Sequence, residues 1–169
     1  YIGAHAFENN KEATEIVIPE HVTDIGANAF YSCTKIKKLT LNNNLRVIGE
    51  NAFRYLRKLE SIEISGKNSS GTMCTFASDA FSTCDTLSEV KFPENLEIIG
   101  DYCFSKCRSL KIVNLSANVI IISRSAFSYC RDLETIIIQG KAQEIGIYCF
   151  IECTSLKTVT ILTVNTKIG

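Results

Sequence analysis

Apolar residues recur on one fixed spacing along almost the whole chain. The marker is a phenylalanine that returns every 23 residues, apart from one gap of 28, at Phe7, Phe30, Phe53, Phe81, Phe104, Phe127 and Phe150. Other positions keep the same spacing and give the motif I-G-x-x-A-F-x-x-C-x-x-L-x-x-I-x-I. A motif that returns in register seven times predicts a repeat protein.

Each unit contains two different hydrophobic periods. The stretch "AFSYCRDL" at residues 126–133 places apolar residues at i, i+1, i+4 and i+7, which predicts a helix of about two turns. The stretches "KKLTL" and "ETIII" alternate every second residue and are rich in β-branched residues, which predicts short strands.

Such short elements cannot bury their apolar faces alone, so the units are expected to stack as successive coils of a solenoid. Each strand then pairs with its neighbours in a parallel sheet, and side chains at equivalent positions form continuous columns in the interior. The fold class is therefore predicted to be an α/β repeat solenoid, with a parallel sheet on one face and short helices or turns on the other.

The alternate strand positions are expected to point outward and are the candidate ligand-binding residues. They are Lys38, Thr40, Glu63, Lys91, Ile112, Asn114, Thr135, Ile137 and Thr160, and Asn42 falls in the same set. The amino-terminal half of this face is charged and mixed, whereas the carboxy-terminal half is uncharged and presents Ile112, Ile137 and Leu162. Either these aliphatic residues bind a partner or they are ordinary surface residues.

The longer gap holds five extra residues within 66–75, "GKNSSGTMCT", which predict a surface loop. It is either a tolerated insertion or a recognition loop, with Asn68 and Cys74 as its candidate residues. Asn68 begins the glycosylation sequon Asn-Ser-Ser. Cys74 lies outside the repeat columns and is a candidate exposed, reactive thiol.

Two Cys-x-x-x-Cys pairs, Cys103 with Cys107 and Cys149 with Cys153, resemble chemical sites. Other units place Ala, Cys or Leu at these two positions, which favours small buried apolar slots filled by free thiols. A disulfide between neighbouring coils, for example Cys107 with Cys130, is the alternative. A whole coil separates the two pairs, so they cannot converge on one ion, and no metal or other cofactor is predicted.

Composition and charge narrow the function classes. Lys and Arg number 18, as do Asp and Glu, so no global field attracts nucleic acid or an anionic membrane. No apolar run approaches the roughly 18 residues of a membrane span. The two histidines, His5 and His21, lie in the first unit without a paired nucleophile, so the chain is not expected to be an enzyme.

The spacing and motif resemble the BspA-like, treponemal-type class of leucine-rich repeat. The stretches "AFYSCTKIKKLTL", "AFSTCDTLSEVKFP" and "CFSKCRSLKIVNL" carry the resemblance, which covers essentially residues 1–169. Asn10 and Leu56 depart from the cysteine position. The resemblance implies a right-handed leucine-rich-repeat solenoid, found at the cell surface of microbes or secreted by them, and often used in adhesion.

The predicted function is therefore non-enzymatic recognition of a host or cell-surface protein, with a glycan as the other ligand class. An intracellular scaffold or effector domain and a structural spacer are the alternatives. Ile168 and Gly169 begin a further copy of the motif, which predicts a longer array and end-to-end self-association through uncapped termini.

Overall fold

The computed structural model is a parallel β-solenoid of about six turns and describes residues 1–67, 71–163 and 166–169. Every coil contributes two short strands, and strands of neighbouring coils pair in parallel at all but one of the described junctions. The strands are β1 (Glu15–Val17), β2 (Asp24–Ile25), β3 (Lys38–Asn42), β4 (Val47–Ile48), β5 (Ser61–Ser65), β6 (Cys74–Phe76), β7 (Glu89–Val90), β8 (Leu96–Ile99), β9 (Ile112–Asn114), β10 (Ile121–Ile122), β11 (Thr135–Gly140), β12 (Glu144–Ile145), β13 (Thr158–Thr163) and β14 (Lys167–Ile168).

The strands form three sheets. The predicted strands build a four-stranded sheet, β1-β3-β5-β7, and a three-stranded sheet, β13-β11-β9. The even-numbered strands form a continuous seven-stranded sheet at the isoleucine column of the motif, which the sequence pattern did not predict as strand. A two-residue strand is stable here because its hydrogen bonds run to neighbouring coils and its isoleucine, such as Ile25 or Ile48, is buried.

The predicted short helices are wrong, because the segment around each phenylalanine is a series of turns in the part of the chain that the structure describes. Its amide groups alternate between two acceptors. In the second coil the amides of Asn28 and Phe30 donate to carbonyls of the next coil, at 2.9 and 2.8 Å, whereas the amide of Ala29 donates to Gly26 within its own coil. An α-helix would direct all these amides to residues four positions earlier in the same segment.

The alternation needs left-handed backbone at two positions of each coil, two residues before and two residues after the phenylalanine. Fourteen described non-glycine residues adopt φ between 54° and 63° there, for example Asn28 and Ser32. Each costs about 1–2 kcal/mol relative to right-handed backbone. Hydrogen bonds between coils and the buried core offset that cost.

The core is one continuous cluster along the solenoid axis. Consecutive phenylalanine rings from Phe7 to Phe150 stack with centroids 5.0–5.9 Å apart and interplanar angles of 3–11°. The rings of Phe53, Phe81, Phe104 and Phe127 are fully buried. The prediction that the recurring phenylalanines form a single file is confirmed.

Candidate protein-binding surface

The outward side chains of β1, β3, β5, β7, β9, β11 and β13, here called the strand face, form columns because the strands pair in register. Thr40 lies beside Glu63, and Lys38 lies beside Ser61. Further along the solenoid, Thr135 lies between Ile112 and Thr158, and Ile137 lies between Asn114 and Thr160. The structure therefore brings the predicted residues other than Asn42 to one face, in two groups.

The amino-terminal group contains an ion pair. Lys91 Nζ donates to Glu63 Oε2 at 2.6 Å, and both side chains are exposed to solvent. The hydrogen bond to Glu63, its charge and the nearby charge of Glu89 raise the pKa of Lys91 above its ordinary value. Lys38 is exposed on the same group of strands, and Thr40 is half-buried.

The carboxy-terminal group is uncharged. Ile112 is 58% exposed and Leu162 is 63% exposed, whereas Ile137, Thr135 and Thr160 are half-buried. This group offers a mixed apolar and hydroxyl surface next to the charged one.

The two groups meet where the strand face is interrupted. The hydrogen-bonded ladder stops between β7 and β9, so the four-stranded and three-stranded sheets are separate there. A cleft of about 460 Å³ lies at this point, lined by Ser88, Glu89, Val90, Lys111, Ile112 and Asn114. Two strand edges thus face an open space beside an exposed isoleucine.

The contribution of Ser88 and Lys111 to this cleft was not predicted. Pro93 follows β7 closely, but Pro19 occupies the equivalent position after β1, and β1 does pair with β3. The sequence therefore carries no clear signal for the interruption.

Asn42 and Cys74 are not exposed as predicted. Asn42 is buried, not outward, because its side-chain amide donates to the carbonyl oxygens of Pro19 and Val22 at 2.8 and 3.0 Å. Asn68 lies outside the described residues. The exposed-thiol interpretation of Cys74 is wrong, because Cys74 is fully buried and burial raises its pKa to about 12.

Cys74 occupies a position in one of the buried columns of the repeat, contrary to the prediction from the spacing. It pairs with Leu96, and an irregularity in register follows it, between Cys74 and Thr75. The extra residue of this bulge is Glu97 of β8, and Cys74 returns the chain to a buried aliphatic column after the insertion. The sequence spacing concealed this because Cys74 lies two residues before Phe76, whereas Leu96 lies three residues before Ile99.

The Cys-x-x-x-Cys pairs are buried thiols, as predicted. All eight cysteines are free and buried. Cys107 donates to the carbonyl oxygen of Phe81, and Cys153 donates to that of Phe127, at 3.3 and 3.2 Å. Burial raises the pKa of Cys149 to about 12 and that of Cys153 to about 11, so these thiols are poor nucleophiles at neutral pH.

Within residues 1–67, 71–163 and 166–169, no group of three or more His, Cys, Asp or Glu side chains is placed to hold a metal ion. The same ranges contain no helix long and apolar enough to cross a membrane.

The chain belongs to the BspA type leucine rich repeat family. The family model matches residues 1–79 and 68–169, with 6 copies of the repeat. No curated protein sequence matches the chain.

Solved structures show the same architecture. A leucine rich repeat protein of T. pallidum is 25% identical, with a TM-score of 0.78 over 92% of this chain and 73% of its own. A leucine-rich repeat protein from Bacteroides ovatus is 23% identical, with a TM-score of 0.54. The pneumococcal vaccine antigen PcpA is 15% identical, with a TM-score of 0.51. The last two matches include 99% and 98% of this chain. They correspond to only 55% and 56% of the length of those two proteins.

Proposed function

We propose that this chain is the protein-recognition region of a microbial cell-surface or secreted protein, and that it binds through its strand face. Repeats of this type generally mediate protein binding. One matched structure, from Faecalibacterium prausnitzii, is described as a leucine rich cell surface protein, which supports the proposed location. Binding of a glycan and end-to-end self-association remain predictions.

The observation that carries the proposal is the interruption of the strand face between β7 and β9. An exposed strand edge with unused backbone groups can pair with an extended segment of another protein. Ile112, at 58% exposure, supplies an apolar contact at that edge. Glu89 and Lys111 line the same cleft and offer charges of both signs to orient a partner.

The test is surface plasmon resonance of the chain against a panel of purified extracellular-matrix and serum proteins. At least one protein should bind saturably. Ile112→Glu should weaken that binding at least tenfold, because a charge then replaces the apolar contact at the cleft.

The matched control is Val17→Glu. Val17 is 61% exposed on β1 of the same face, but it lies far from the cleft. A structural spacer would show no saturable binding. Equal weakening by both substitutions would place the contact away from the cleft and contradict the proposal.

A further inference from the structure

A second concave site lies on the turn side of the solenoid, away from the strand face. It is a groove of about 340 Å³ that crosses five successive coils, from Arg54 to Tyr148. We call it the turn-face groove. The phenylalanine rings beneath it are 5.1–5.9 Å apart, so equivalent side chains recur along the groove at that interval.

The floor of the turn-face groove is a row of serines. Ser82, Ser105 and Ser128 occupy equivalent positions, one residue after the phenylalanine, and are only 1–5% exposed. Ser128 Oγ lies 2.9 Å from both Ser105 Oγ and the carbonyl oxygen of Ser125. These small side chains lie low between the bulkier residues on either side and leave room above them for a ligand.

The walls are aromatic. Tyr102, Tyr129 and Tyr148 line the groove, and Tyr129 and Tyr148 are 38% and 58% exposed. All three adopt the left-handed backbone of the turns. Tyrosine is unusual at such positions, which Asn and Gly favour, so no backbone preference explains its recurrence here.

The groove has an excess of positive charge. Arg54 is paired with Asp79 at 3.3 Å, and its Nε is buried without a hydrogen-bond partner among the described residues. Lys106 and Arg124 take part in no salt bridge in the part of the chain that the structure describes, although the Arg124 backbone amide donates to Asp101. The Arg124 guanidinium lies 5.8 Å from the centre of the Tyr102 ring.

From these features we propose that the turn-face groove binds an oligosaccharide that carries a carboxylate, such as a uronic or sialic acid. Tyrosine rings pack against the C–H faces of sugars, and the small serines leave room for the saccharide between the tyrosines. Lys106 and Arg124 supply the charges that a carboxylate requires. The coil interval is close to the length of one pyranose unit, so an extended saccharide meets equivalent side chains at each coil.

The proposal is independent of the protein-binding strand face, and the experiment separates the two. The whole chain is applied to an array of immobilised carboxylated oligosaccharides and their neutral parents. Capture should be confined to the carboxylated ones and should weaken as salt rises.

The variants use residues that the chain itself carries at equivalent turn positions. Tyr148→Asn reproduces Asn51, and Lys106→Ser reproduces Ser32, so the left-handed backbone is retained. Each should weaken capture at least tenfold without changing the melting temperature. Tyr31→Ser, which reproduces Ser82 but lies outside the groove, is the control and should bind like the parent.

Ile112→Glu on the strand face should leave saccharide capture unchanged. Capture of neither saccharide class, equal capture of neutral and carboxylated saccharides, or equal loss in Tyr31→Ser would each overturn the proposal.

Discussion

The thiol of Cys130 donates a hydrogen bond to the carbonyl oxygen of Phe104, 3.2 Å away in the preceding coil. The same contact joins Cys33 to Phe7 and Cys84 to Phe53. The cysteine column is thus a set of donors between coils, which requires the thiols to stay protonated.

Stability should fall in alkaline solution, because a buried thiol resists losing its proton, and Cys74, outside this column, is such a thiol. Burial raises the pKa of Cys74 from 9.0 to about 12, so between these values the unfolded chain loses the proton and the folded chain keeps it. The unfolded state then binds fewer protons, and the free energy of unfolding falls by up to about 1.4 kcal/mol per pH unit for this thiol. The contribution is fully present below pH 9 and is lost by about pH 12.

The measurement is urea unfolding from pH 7 to 11, comparing the parent with Cys74→Ala. Ala142 occupies the same type of buried position before its strand, which makes alanine the matched replacement. The variant should lose less stability with rising pH. Parallel curves for the two proteins would contradict the assignment of the effect to this thiol.

Phe104→Ala should lower the free energy of unfolding by about 3–5 kcal/mol. Its ring is fully buried and stacks between Phe81 and Phe127 at 5.1 and 5.3 Å, so truncation leaves a cavity that neighbouring coils cannot close. Urea unfolding measures the loss. Phe7→Ala is the control, because Phe7 is 49% exposed and should cost only about 1–2 kcal/mol.

Gly140→Ala should cost about 3 kcal/mol. Gly140 has φ +77°, and an added Cβ would lie 2.2 Å from the Ala117 carbonyl oxygen. Gly71→Ala isolates the backbone term, since Gly71 has φ +64° and, apart from its chain neighbours, no atom of the described residues lies within 4 Å of its added Cβ. It should cost about 1 kcal/mol. Equal melting temperatures for the two variants would show that the close approach is relieved without cost.

Asn42→Ala should cost about 2–3 kcal/mol, because it removes the donor to two carbonyl oxygens in a buried site. Asn118→Ala is the comparison. The Asn118 amide donates to Glu94 O at 2.9 Å in an exposed setting, where water replaces the lost donor, and its loss should stay below about 1 kcal/mol. A cost for Asn42 no larger than that for Asn118 would contradict a structural role for its buried bonds.

The sequence by itself determined which residues share a column, because a side chain that returns at a fixed interval meets its own copies when coils stack. Phe30, Phe53 and Phe104 therefore stack as predicted, and Lys38 and Thr135 lie on the predicted strand face. The buried thiols were predictable for the same reason, since Ala and Leu replace Cys at their positions.

Only the tertiary structure decided how the backbone hydrogen bonds are shared between coils. The apolar spacing of "AFSYCRDL" suits a helix, but every second amide donates its hydrogen bond to the next coil. The segment therefore forms turns that contain residues with left-handed backbone. The break between β7 and β9 and the serine floor of the turn-face groove likewise depend on contacts between different coils. A local pattern fixes which face of a segment is apolar, but it does not fix which coil satisfies each backbone group.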